Sequence, residues 1–171
     1  HTTRSPRSNE VNGIDYNFVS HEKFQNLVKT NEFYEYAKIF GNFYGTLKKN
    51  TDKLITENDI IFDIDWQGTK KIKDQELNYK LLTIFILPPS KKILLSRLTE
   101  RENNNEKVIK ERMEKFDQDV LHWKDYDYVV INDNLEICFK NILNVIEDYK
   151  NNKKIEFDRN HIESHIKYLL K

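Results

Sequence analysis

Ile60-Ile61-Phe62-Asp63-Ile64-Asp65-Trp66-Gln67-Gly68 is the stretch from which the rest of the chain is read. It begins as an apolar block of strand type and ends in two carboxylates and a glycine. Side chains alternate along a strand, so Asp63 and Asp65 share one face at its end. A strand buried on both faces reads as such a block. In open parallel sheets, ligands sit beyond the carboxyl ends of the strands. Acids at that place hold a metal, a base or a basic partner. The plainer reading is that one Asp caps the next helix and the other pairs with a buried Arg. The stretch alone leaves both open.

Further along, Leu81-Leu82-Thr83-Ile84-Phe85-Ile86-Leu87 is a second apolar strand, ended by Pro88 and Pro89. Ser90 caps a helix in which Ile93, Leu94 and Leu98 share a face. Residues 100–107 are wholly polar, a mobile segment or a frayed helix end. A helix resumes at Val108 and runs through Met113 and Phe116 to Val120. Tyr128-Val129-Val130-Ile131 is a third buried strand, Leu135 to Tyr149 an amphipathic helix, and Ile162, Ile166 and Leu169 mark a final helix. Strands alternating with helices predict an α/β layer fold with a parallel sheet.

The earlier part breaks that rhythm. Thr2 to Gly13 reads as an exposed loop, and Tyr16-Asn17-Phe18-Val19 as a strand. Ser20 caps a helix carrying Phe24, Leu27 and Val28. Glu32 to Tyr44 is aromatic-rich with Gly41-Asn42 between two short runs, a hairpin signal. Leu47 to Asn58 contains a short helix. Residues 15–46 therefore read as a small lobe inserted into a core made of residues 1–14 and 47–171.

The chain has 171 residues, enough for one domain with an inserted lobe. Lys+Arg and Asp+Glu both number 28, so the formal net charge is zero. Balanced charge argues against bulk attraction to nucleic acid or membrane. Cys138 is the single cysteine, which excludes an intramolecular disulfide and fits a reducing, cytoplasmic compartment. No apolar run reaches membrane-spanning length, and the five histidines show no ligand spacing.

Several residues carry potential chemistry. Arg4, Arg7, Tyr16 and Tyr44 suit one phosphate site, because Arg presents a donor fork matched to phosphate oxygens and Tyr adds a directional hydroxyl. The alternative is two solvated arginines and two half-buried tyrosines. Glu35 lies between Tyr34 and Tyr36, where a charge is costly unless paired. Its carboxylate can accept two adjacent donors, which guanine offers and adenine does not; the alternative is a salt bridge to a Lys. Arg97 and Arg101 are four apart on one helical face, and Arg112 lies beyond the polar segment. Arginines on such a flap could stabilise transferring phosphates and exclude water; the more usual reading of a charge run is a solvated face, here paired with Glu100 and Glu111. Asn132-Asp133 follows a buried strand, where it could meet a nucleobase or ribose, or cap the next helix.

Taken together, these blocks resemble the guanylate kinase family. The blocks are Thr2-Thr3-Arg4-Ser5-Pro6-Arg7, Glu10-Val11-Asn12-Gly13 with Asp15-Tyr16, Phe18-Val19-Ser20, Glu32-Phe33-Tyr34-Glu35-Tyr36, Gly41-Asn42-Phe43-Tyr44-Gly45-Thr46, Asp63-Ile64-Asp65-Trp66-Gln67-Gly68 and Val130-Ile131-Asn132-Asp133. The resemblance runs from Thr2 to about Tyr149. It implies a P-loop NTPase-like three-layer fold with a parallel sheet, an inserted mixed α+β GMP-binding lobe and a helical lid over about residues 97–112. It implies transfer of the γ-phosphoryl group of ATP to GMP with Mg²⁺, in a monomer or homodimer. By that likeness Arg4, Arg7, Tyr16 and Tyr44 hold the GMP phosphate, Glu35 and Thr46 read guanine, and Asp65 helps on the GMP side. Asp63 is the candidate for Mg²⁺, through water. Arg97, Arg101 and Arg112 serve the ATP phosphates, with Asn132 and Asp133 near the adenosine. Arg4 and the three later arginines form the catalytic set.

There are departures. No Gly-x-x-x-x-Gly-Lys-Ser/Thr loop occurs, and the four glycines, at 13, 41, 45 and 68, do not form one. The natural protein is accordingly expected to be longer, and residues 1–171 alone to turn over ATP negligibly. Glu102 stands where the family's lid has a glycine after Arg101, and Asn134 replaces a second Asp. The tail from Ile155 has no clear counterpart. The rival reading is a non-catalytic scaffold relative that binds phosphopeptides at the GMP phosphate site. Glu35 and the retained lid arginines argue for the kinase.

Overall fold

The hairpin expected around Gly41-Asn42 forms in the computed structural model, which describes every residue except Asn103. β1 (Phe33–Ile39) pairs antiparallel with β2 (Asn42–Leu47). Phe40 and Gly41 make the turn with φ of 48° and 80°. A loop with two positive φ values matches the twist of the flanking strands, and glycine takes that geometry without strain. Period two puts Phe33, Glu35 and Ala37 on the inward face of β1, at 5%, 3% and 5% exposure. The same alternation that buries Phe33 and Ala37 therefore buries a carboxylate.

Two units divide the described chain, His1–Tyr79 and Lys80–Lys171. In the first, Ser20 Oγ accepts from the Lys23 amide at 3.2 Å and starts α1 (His21–Lys29). Fully buried Phe24 of α1 stacks on Phe33 and Phe43, with centroids 4.6 and 5.4 Å apart. α2 is Lys48–Ile55. α3 (Trp66–Lys73) is capped by Asp65, whose side chain accepts from the Gln67 and Gly68 amides. α3 is tied to β1 by Lys71 Nζ, which donates to the Tyr36 carbonyl at 2.5 Å.

Three expectations need correction here. Thr2 is not in an exposed loop: it is fully buried, because its amide donates to Asn17 O and its carbonyl accepts from the Val19 amide. Tyr16 to Val19 does not form a strand. Phe18 meets Thr2 in an isolated bridge, and one bridge makes no ladder. The block at Ile60–Ile64 is likewise not a strand, and Ile61 is 87% exposed. A strand exists only through a hydrogen-bonded neighbour, and none pairs with this block among the described residues.

In the second unit β3 (Ile84–Leu87) runs parallel to β4 (Tyr128–Ile131), with Leu87 opposite Ile131. β3 is shorter than the apolar run that predicted it, and Ile86 is 53% exposed rather than buried. Asp127 sets the register by accepting from the Thr83 amide at 2.8 Å and its hydroxyl at 2.7 Å. α4 (Lys91–Arg101) is capped by Ser90 and α5 (Glu106–Asp119) by Asn105. Within the polar segment, residues 100–101 close α4 and 106–107 open α5, with Glu102 and Asn105 as the caps; Asn103 lies outside the described residues. A 3-10 turn (Val120–Asp125) leads to β4, then come α6 (Leu135–Lys150) and α7 (Arg159–Leu169). The core here is Leu87, Val120, Trp123, Val129, Ile162, Ile166 and Leu169. α7, the tail helix, supplies three of these. Cys138 is buried, as its apolar pattern indicated.

Candidate functional site

In the first unit Glu35 and Thr46 face each other across the hairpin. Thr46 Oγ1 donates to Glu35 Oε1 at 2.8 Å. Burial pushes the Glu35 carboxyl above its ordinary range, and the Asp65 charge adds to that; the Thr46 hydrogen bond and Lys71 pull the other way. Glycine at 68 lets α3 approach: a Cβ there would lie 2.8 Å from Glu35 Oε2. Lys71 Nζ sits 3.3 Å from the Tyr36 ring centroid, and burial lowers its pKa. The arrangement is an acidic acceptor with hydroxyl, aromatic and ammonium groups beside it. Such a set can recognise a ligand edge carrying paired N–H donors.

Arg4, Tyr16 and Tyr44 come together in the same unit. The Arg4 guanidinium carbon lies 5.4 Å from the Tyr16 ring centroid, and Tyr16 meets Tyr44 edge-on at 6.2 Å. Arg4 is not a solvated side chain. Its Nη1 and Nη2 donate to Glu10 at 2.9 and 2.8 Å in a bidentate pair. Glu10 also accepts from the Arg7 amide at 2.7 Å, and Arg7 Nη1 lies 3.6 Å away. The Arg4 hydrogen bond, then the Arg7 amide, holds the Glu10 carboxyl down at about 2. Glu10 and then the Tyr44 hydroxyl raise the Arg4 pKa. Glu10 gathers both arginines into one cationic, phenol-lined group suited to an anion.

Asp63 and Asp65 part company. Asp65 Oδ1 accepts the Gln67 and Gly68 amides, each at 3.1 Å, and Oδ2 accepts from Gln67 Nε2 at 3.0 Å. It is therefore a helix cap, the plainer of its two readings. Asp63 is exposed. Among the described residues no cluster of three His, Cys, Asp or Glu side chains stands ready to hold a metal. A Mg²⁺ ion carried by a triphosphate keeps several waters and is held through one or two protein carboxylates. Asp63 fits that lesser demand.

In the second unit Arg97 Nη2 donates to the Asn132 carbonyl at 3.1 Å, which ties α4 to the end of β4. Neither Asn132 nor Asp133 is the cap of α6. Asn134 is, its side chain accepting from the Ile137 amide at 3.1 Å. The Asn132 Oδ1 atom is buried with no hydrogen-bond partner. Arg101 and Arg112 converge on Glu102: each Nε lies 3.2 Å from Glu102 Oε1. Glu102, rather than the Glu100 and Glu111 considered from the sequence, is the carboxylate the two arginines share. Sequence reasoning missed Glu10 and Glu102 as the counter-ions of these arginines. The signal for Glu10 was its place six residues after Arg4 and three after Arg7. For Glu102 it was a carboxylate next to Arg101.

Comparison with known proteins adds to this geometry. The family described as guanylate kinase matches residues 1–149. A guanylate kinase of Rickettsia prowazekii is 48% identical over 146 residues, 85% of this chain and 73% of that protein. One of Histophilus somni is 48% identical over 134 residues, 77% of this chain and 64% of that protein. The crystal structure of guanylate kinase from Anaplasma phagocytophilum superposes with a TM-score of 0.68 at 31% identity, covering 91% of this chain and 73% of that one. The fold is of the P-loop-like α/β class, as its parallel strand pair and alternating helices indicate. Within that class, the chain belongs to the guanylate kinase family.

Proposed function

We propose that the protein transfers the γ-phosphoryl group of ATP to GMP, giving ADP and GDP, with residues 15–46 as the GMP-binding lobe and about 97–112 as the lid. The observation that carries this reading is the carboxylate of Glu35, 3% exposed and held by Thr46 in an aromatic-rich strand. A carboxylate costs free energy in that setting unless something uses it. The N–H and amino donors on one edge of guanine match it. Thr46 then meets the neighbouring acceptor edge, and Asp65 fixes the α3 turn against Glu35.

Arg4, Arg7, Tyr16 and Tyr44 take the GMP phosphate, with Glu10 orienting Arg4. Arg97, Arg101 and Arg112 serve the ATP phosphates, and Asn132 and Asp133 the adenosine. Phosphoryl transfer asks little covalent chemistry of the protein, so these residues act by positioning and by neutralising charge. Arg4 holds the acceptor phosphate in line, and the later arginines stabilise charge on the transferring group. Asp63 would hold Mg²⁺ through water, and the ion, when bound, neutralises phosphate charge. Residues 1–171 carry no glycine-rich Lys-Ser/Thr loop, so this portion alone supplies the acceptor side and the lid but not that phosphate cradle. A cytoplasmic setting suits these substrates, and no described helix is long and apolar enough to cross a membrane.

Isothermal titration tests the reading. GMP should bind at micromolar concentration, AMP far more weakly, and Glu35→Ala should abolish GMP binding. Tight binding of a phosphopeptide with indifference to GMP would favour the scaffold alternative instead.

A further inference from the structure

Glu102 lies at the C-terminal end of α4, its amide donating to the Leu98 carbonyl at 2.9 Å. Its side chain is only 11% exposed, far less than those of Arg101 and Arg112, at 55% and 25%. One carboxylate oxygen, Oε1, lies 3.2 Å from the Nε atoms of both arginines. Two guanidinium groups that close repel each other unless an anion lies between them. Here the anion is built into the chain. A carboxylate so little exposed is weakly screened by salt and water, so its hold on both arginines is a standing competitor for any other anion they meet.

We propose that Glu102 is an internal substitute for nucleotide phosphate, occupying Arg101 and Arg112 in the ligand-free chain and giving way when the ATP phosphates arrive. This rests on the assignment of Arg101 and Arg112 to the ATP phosphates. The two arginines and Glu102 sum to one positive charge; without the carboxylate they sum to two. Binding a triphosphate therefore includes the work of parting both arginines from Glu102. That work falls on ATP binding, and neither on GMP binding nor on the chemical step.

Steady-state kinetics of the intact protein, with ATP varied at saturating GMP, provide the test. Glu102→Gln keeps the size and an acceptor oxygen but removes the charge. It should lower KM for ATP about three- to tenfold, with kcat and KM for GMP unchanged. Glu102→Gly should lower KM for ATP likewise, and the unchanged KM for GMP reports that each variant is folded. In an Arg101→Ala, Arg112→Ala background, Glu102→Gln should have no further effect. A KM for ATP that stays the same or rises in both Glu102 variants, while Arg101→Ala impairs ATP use, overturns the proposal alone. An Arg101→Ala enzyme with unaltered ATP kinetics overturns the underlying assignment as well.

Discussion

Thr46 Oγ1 donates to Glu35 Oε1 across 2.8 Å, joining the two strands of the hairpin through their side chains as well as their backbones. The bond leaves Glu35 buried, with its carboxyl raised above the ordinary range by desolvation first. A carboxyl whose folded pKa is raised supports stability below its unfolded value and loses that support as pH rises through the folded value. Glu35→Gln should therefore stabilise the ligand-free protein at neutral and higher pH, a gain that fades as pH falls into the ordinary glutamate range. GMP binding should be lost at the same time. Thermal melts across pH, paired with GMP titration, check both; equal melting temperatures at every pH would contradict the sign.

Gly68 sets how closely α3 approaches that carboxylate. A Cβ added there meets Glu35 Oε2 at 2.8 Å and Ile64 Cβ at 3.2 Å. Gly68→Ala must push one of them, at about 1–3 kcal/mol for a tightly packed site. The expected outcome is weaker GMP binding with little change in KM for ATP. Gly68→Ser should be worse than Gly68→Ala.

Glu10 makes a different prediction. Its carboxyl is held at about 2 by the Arg4 hydrogen bond and the Arg7 amide. A depressed pKa gives support that is present above the unfolded value and lost as pH falls through the folded one. The paired arginines should therefore stay in place down to about pH 3. Carbon-13 NMR of the Glu10 carboxyl should show titration near pH 2, and Arg4→Ala should move it back toward ordinary glutamate. A normal titration in the unsubstituted chain would remove Glu10 as organiser of the site.

The tail is not an appendage. Ile162, Ile166 and Leu169 of α7 belong to the core of the second unit, and Leu169 is fully buried. Leu169→Ala should destabilise that unit by about 2–5 kcal/mol. Chemical denaturation gives the measure. A change below half a kcal/mol, about the level of a surface substitution, would mean the helix packs loosely.

Much was legible from residue order. Ser20, Ser90 and the Gly41 turn announce themselves because caps and positive-φ turns depend on the chemistry of a few adjacent residues. Amphipathic spacing marked α6, and the alternation of apolar runs with helices gave the α/β class. Candidates such as Glu35 and the arginines could be named from the sequence, because an acid in an aromatic-rich strand and clustered arginines stand out against a neutral composition, whereas Glu10 and Glu102 did not.

Only the tertiary structure decided which groups those residues meet. Whether an apolar block becomes a strand depends on a neighbour, so Ile60–Ile64 and Tyr16–Val19 misled while Tyr128–Ile131 did not. The partners of Arg4, Arg101 and Arg112 could not be read from order alone, because a long side chain reaches several carboxylates and burial selects among them. Local chemistry is written along the chain. Pairing, burial and the choice of counter-ion are set by distance in three dimensions, and these turn a set of candidate residues into a site.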